Sequence, residues 1–172
     1  MATVVPKDMT ADEFLVWNLT QDQRYELVDG VPVPLRAMAG ASNYHDDIVT
    51  NVIVALGNKL RGSGCRPRTA DTALRTAIKR VRRPDVTVDC GDSRADSYES
   101  NRPTAAIEVL SPSTRSIDAG VKLSEYLRHP TLRTIVQIDP DRMAVALFQR
   151  QPDGQWSEFN LGLMGSGEIW ID

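Results

Sequence analysis

The sequence predicts an α/β domain in which a sheet is flanked by helices. Apolar, strand-like runs stand at 84–90 and 104–110. Helical periodicity recurs at 43–61 and 117–127, so strand-like and helical segments alternate along the chain. A length of 172 residues suits one domain, taken as 1–172, with a sizeable core. Hydrophobic residues at 41% and charged residues at 25% are ordinary for a folded protein and exclude a disordered or fibrous chain. There is no internal repeat, low-complexity tract or linker.

The elements follow in order. Thr10 and Glu13 form a capping box, and Met9 with Phe14 suits a hydrophobic staple, so a short helix runs to about Asn18. Segment 25–36 reads as two strands around Asp29-Gly30. From 43 to 61, Ile48, Val52, Leu56 and Leu60 recur every four residues, Asp46 and Asp47 occupy the first turn, and Gly62 is the C-cap. His45 lies near that stripe and reads as a hydrogen-bonded structural histidine, with a catalytic role as the alternative. Strands follow at 66–69, 72–78, 84–90 and 104–110, with 91–102 a polar, acidic loop and 111–116 a polar turn. In the helix 117–127, Ile117, Val121, Ser124 and Leu127 form the expected packed stripe, and Asp118, Lys122 and Tyr126 an adjacent face. Strands at 133–138 and 143–149 flank Asp139-Pro140-Asp141, with others at 156–161 and near Ile169.

Two acids and an ammonium carry the chemistry. Asp85 follows Pro84 at a strand start, where the missing proline donor is harmless. Glu108 stands twenty-three positions later as the only charge in a buried run, and such a carboxylate must be paired, metal-bound or shifted in pKa. Lys122 on the next helix can reach back toward it. Mg²⁺ prefers oxygen donors and needs only one or two carboxylates beside substrate phosphate and water, and an ammonium nearby would stabilise developing charge. Taken singly, Pro84-Asp85 reads as a turn, Asp118 with Lys122 as a surface ion pair, and Glu26 as a solvent-facing hairpin residue. Their order along the chain favours a metal site.

The string from Glu108 through Ser111-Pro112-Ser113-Thr114, followed by Asp118, Lys122 and Tyr126, with Arg83-Pro84-Asp85 upstream and residues 24–30 near the start, resembles the bacterial Uma-two family of putative restriction endonucleases. The resemblance covers nearly the whole chain. It implies membership of the PD-(D/E)XK nuclease superfamily and a restriction-endonuclease-like core with a mixed central sheet flanked by helices. It implies that Asp85 and Glu108 are the metal-holding acids, that Glu26 is an assisting early acid, and that the Val109 main-chain carbonyl contributes to the metal. The Lys expected two positions after Glu108 is replaced by Leu110, so Lys122 is the implied migrated lysine. A family histidine falls near His45.

Net charge is -3, against an indiscriminate nucleic-acid binder, yet nine basic residues lie between Lys59 and Arg83 with Asp71 as the sole acid. That stretch reads either as a phosphate-holding surface or as a solvated edge hairpin. Cys65 and Cys90 give neither a disulfide framework nor zinc-ligand spacing, and a reduced, cytoplasmic protein without a membrane span is expected. The expectation is a Mg²⁺-dependent endonuclease, with Mn²⁺ as a substitute, acting on nucleic acid through Asp85, Glu108, Lys122 and Glu26, and a homodimer where both strands of a duplex are cut. The alternative is a nucleic-acid-binding or self-assembling module without turnover. A glycosidic reaction fits poorly with one buried acid beside a lysine.

Overall fold

The computed structural model describes residues 8–35, 43–92, 94–111 and 117–162. The turn at 112–116 and the strand expected near Ile169 lie outside them. Helix α1 (Ala11–Asn18) starts where its capping box dictates. Thr10 Oγ1 accepts from Glu13 N at 3.3 Å, and Glu13 Oε2 accepts from Thr10 N at 2.8 Å. Met9 and Phe14 share one apolar cluster with Ala11, Leu27, Ala73 and Val81.

Strands β1 (Tyr25–Val28) and β2 (Val31–Pro34) turn through Asp29 and Gly30, whose φ values of 49° and 81° suit a type I′ turn. The single strand expected at 72–78 is instead one arm of a second hairpin, β4 (Leu74–Ala77) and β5 (Arg80–Arg82). Strand β5 pairs with β1 and completes a four-stranded sheet in the order β2-β1-β5-β4. Its one apolar residue, Val81, is fully buried, but the four basic residues around it read as a charge run.

The larger sheet comprises β3 (Arg66–Thr69), β6 (Val86–Asp89), β7 (Pro103–Val109), β8 (Thr134–Asp139), β9 (Ala144–Arg150) and β10 (Trp156–Gly162). Its order is β10-β9-β8-β7-β6-β3, and only β7 and β8 are parallel, so this is the mixed sheet expected. A parallel pair needs a crossover. Here the crossover contains a π-helical segment, Ile117–Lys122, that runs into α3 (Leu123–Leu127).

Each face of this sheet is covered. Val86, Val88, Ala105, Ile107, Val136 and Leu147 pack against α2 (Asn43–Lys59), which brings Val49, Val52, Ile53 and Leu56. Val52, Leu56 and Leu60 of the expected stripe are in this cluster, with Val49 and Ile53 from the adjacent row beside them and Ile48 absent. On the other face Ala106, Ile135 and Phe148 meet Leu74, Tyr126 and Leu132. No helix among the described residues is long and apolar enough to cross a membrane.

The expectation of reduced cysteines is corrected, because Cys65 and Cys90 form a disulfide. Register explains what spacing could not: Arg66 lies opposite Asp89, so Cys65 and Cys90 face each other one step beyond the β3–β6 ladder. The bond closes a loop of sequence separation 25. Replacing both cysteines by serine should therefore lower unfolding free energy by about 3 kcal/mol in non-reducing urea titrations. Equal midpoints for variant and wild type would mean that the crosslink contributes nothing.

Candidate functional site

Asp85 and Glu108 meet because of the β6–β7 register. Val86 lies opposite Ile107, so Asp85 and Glu108 stand one step beyond the ladder, at the same end of it. Val86 and Ile107 face α2, so Glu108 points to the other side of the sheet, where Tyr126 meets it, whereas Asp85, just ahead of β6, lies beside His45 of α2. Val109 N donates to Asp85 Oδ2 at 2.7 Å and closes the pairing. Glu108 is buried at the end of β7, and the Asp85 side chain is 20% exposed.

The crossover helix supplies the next groups from the Lys122 and Tyr126 face. Its buried residues are Lys122, Glu125, Tyr126 and, just beyond, His129, whereas Val121 of the expected stripe is exposed. Offsets of three, four and seven form a regular helical stripe of polar residues, and beside it Leu127 of the expected apolar stripe packs on the core. The side chain of Asp118 lies outside the described residues. Lys122 Nζ sits 3.2 Å from Glu26 Oε1 and 3.4 Å from Glu108 Oε1. Tyr126 Oη donates to Glu108 Oε1 at 2.6 Å. Burial, reinforced by the Glu108 charge, pushes the Tyr126 hydroxyl well above its ordinary pKa, so the phenol is a neutral donor.

Glu26 on β1 is buried, contrary to a solvent-facing hairpin role. Its Oε1 accepts from Arg83 N at 3.0 Å, and its Oε2 accepts from Arg82 Nη1 at 3.1 Å. Arg82 is 2% exposed and also donates to Glu125, from Nε at 2.9 Å and from Nη2 at 2.6 Å. Burial works against the Arg82 charge, but the Glu125 hydrogen bonds and both carboxylate charges outweigh it and raise its pKa. Burial likewise works against ionised Glu125, yet hydrogen bonds from Arg82 and Thr76 hold its carboxyl below the usual range. The structure thus brings Glu26, Glu108 and Lys122 into direct contact and joins Asp85 to them through the Val109 peptide. Sequence reasoning missed Arg82, Glu125 and the hydrogen-bonding role of Tyr126, because nothing local distinguishes a buried arginine within a basic run.

His45 Nε2 lies 3.6 Å from Asp85 Oδ2, and that contact raises the histidine pKa despite partial burial. The imidazole therefore adjoins Asp85 among the candidate acids.

The basic stretch does not form one phosphate-holding face. Arg75 pairs with Asp12 and Glu99, Lys79 with Asp8, Arg80 with Asp29, and Arg82 with Glu26 and Glu125. Arg83 is buried and donates to the carbonyls of Tyr25, Ala70 and Asp71. Arg66 likewise donates to the carbonyls of Gly64 and Gly91, so six of the nine cations are engaged within the chain by the contacts named here.

A divalent cation fits the donor chemistry. No group of three His, Cys, Asp or Glu side chains able to hold a metal occurs among the described residues, but Mg²⁺ needs only one or two carboxylates. The carboxylates Glu26, Glu108 and Glu125 are held by Lys122, Arg82 and Arg80, and Asp85 lies beside His45, so oxygen donors stand close together in a charge-paired cluster. A carboxylate offers about four acceptor positions, so bonds to Tyr126 and Lys122 do not exhaust Glu108.

The sequence profile of a family described as Uma2, putative restriction endonuclease, matches residues 11–167. The uncharacterized protein slr1290 of Synechocystis sp. is 28% identical over 154 residues, which span 88% of this chain and 80% of that protein. The crystal structure of a putative nuclease from Anabaena variabilis superposes with a TM-score of 0.66 at 20% identity, covering 88% of this chain and 84% of that one, a likeness of fold.

The buried pair has a pH signature. Because the Glu125 pKa is depressed in the folded state, its contribution is present above the usual glutamate value of 4.5 and is lost as pH falls through the folded pKa. Glu125→Ala should cost about 3 to 5 kcal/mol at neutral pH, since it leaves Arg82 buried with half its partners. In urea titrations the gap between variant and wild type should narrow as pH drops below 4.5. A gap independent of pH would mean that Glu125 is not an ionised partner.

Proposed function

The chain belongs to the Uma2 family of putative restriction endonucleases, and we propose that it hydrolyses phosphodiester bonds of nucleic acid with Mg²⁺, or Mn²⁺, as cofactor. The observation that carries this reading is the Lys122 ammonium 3.4 Å from Glu108, with Asp85 tied to the same end of β7 through the Val109 N–H at 2.7 Å. Asp85, Glu108 and the Val109 carbonyl would hold the cation. When bound there, it supplies polarisation of the phosphoryl oxygen and acidification of an attacking water.

The remaining work falls to this chain's own groups. Lys122, buried and oriented by two carboxylates, presents a fixed positive charge where negative charge grows on the phosphate, with no solvent reorganisation needed. Glu26 holds the opposite side of that ammonium. Tyr126 orients Glu108 as a neutral donor, which leaves the carboxylate charge intact. Cutting both strands of a duplex would call for a symmetric dimer.

Cleavage of mixed DNA and RNA substrates during Mg²⁺ and Mn²⁺ titration tests this reading. Asp85→Ala should abolish metal-dependent cleavage while costing about 1 kcal/mol of stability from the lost Val109 hydrogen bond. Lys122→Ala should slow cleavage by about 10²- to 10³-fold. Full activity in the Asp85 variant would sink the proposed metal site, and an inert wild type in both metals would favour the nucleic-acid-binding or self-assembling module.

A further inference from the structure

We propose that Arg82 is a positioning residue that acts on the reaction through Glu26 and Lys122. The inference rests on the nuclease reading above and deepens it. Arg82 is buried on β5 of the four-stranded sheet, more than twenty residues in sequence from either Glu108 or Lys122, and its hydrogen bonds go to Glu26 and Glu125. Its guanidinium spans two carboxylates. Nε and Nη2 engage Glu125 on α3, and Nη1 engages Glu26 on β1.

The geometry of the fork matters because Glu26 is itself divided. One of its oxygens takes Arg82, and the other takes both the Arg83 main-chain N–H and the Lys122 ammonium. With both oxygens committed, Glu26 cannot rotate toward Lys122 and draw the ammonium away from Glu108. Lys122 therefore stays shared, 3.2 Å from Glu26 and 3.4 Å from Glu108. Glu125 fixes the other half of the fork and is itself anchored by Thr76 Oγ1 at 2.7 Å. A lysine at position 82 would keep the charge, but a point ammonium cannot reproduce the planar fork that bridges both acids.

A double-substitution cycle in the full-length protein tests this, with kcat, KM, nucleic-acid affinity and melting temperature recorded for wild type, Arg82→Lys, Lys122→Ala and the double variant. Arg82→Lys should lower kcat by about 10²-fold, the scale of a misplaced reacting group. KM should remain within a factor of about two, since only the chemical step is disturbed. The double variant should be no slower than Lys122→Ala alone, because both changes act through one ammonium. Multiplying effects would overturn the proposal. If Arg82→Lys fails to fold, Glu125→Gln replaces it in the cycle.

A second readout needs no turnover. In ¹⁵N-lysine-labelled protein, the Lys122 ammonium, assigned by its loss in Lys122→Ala, should exchange slowly with water in the wild type and rapidly in Glu125→Gln. Unchanged exchange would overturn the positioning role. An inert wild type with the expected exchange change would instead retire the nuclease reading and leave the positioning geometry standing.

Discussion

The arrangement turns on one desolvated guanidinium. Arg82 belongs to the four-stranded sheet, yet Glu125, its strongest partner, lies on the helix packed against the six-stranded sheet, so the fork bolts the two sheets together at their polar seam. Removing such charges from water costs several kcal/mol each, and apolar residues of equal volume would often be as stable. What the ionic seam contributes is direction. Apolar contacts tolerate sliding, whereas a planar fork with three fixed donors permits one orientation of β5 against α3.

That orientation decides what surrounds Lys122. The acid and the ammonium lie at the start and the middle of the β7-to-β8 connection, Glu108 at the end of β7 and Lys122 where π-helix passes into α-helix. A π-helical turn carries more residues than an α-helical one, so it rotates the side chains that follow. In this chain the residues brought to face the sheet after that turn are Lys122, Glu125 and Tyr126.

Much of this was legible in the sequence wherever the signal was local. The capping box at Thr10 and Glu13, the Asp29-Gly30 turn, the strand that follows Asp85 and the strand holding Glu108 needed only neighbouring residues to be read. The failures share a different cause. Strand β5, the burial of Glu125 on α3 and the engagement of Arg75, Arg80 and Arg82 all depend on partners distant in sequence, and polar residues buried by pairing look like solvent-facing ones when their partners are unknown. The disulfide belongs with these, because two cysteines in a chain of 172 residues carry no pattern until the β3–β6 register opposes them.

The six-stranded sheet ends in two unlike borders. Strand β3 is short, contains Pro67, which has no donor to offer, carries Arg66 and Arg68, and is tied to β6 by the crosslink just before it. These features discourage strand addition by another chain. Strand β10 is seven residues long, without proline, and leaves Phe159 and Leu161 exposed. Among the described residues its outer backbone groups are the open template, so recruitment of a further strand is polarised toward that border, and an aggregation-resistant variant would begin with a charge at Phe159 or Leu161.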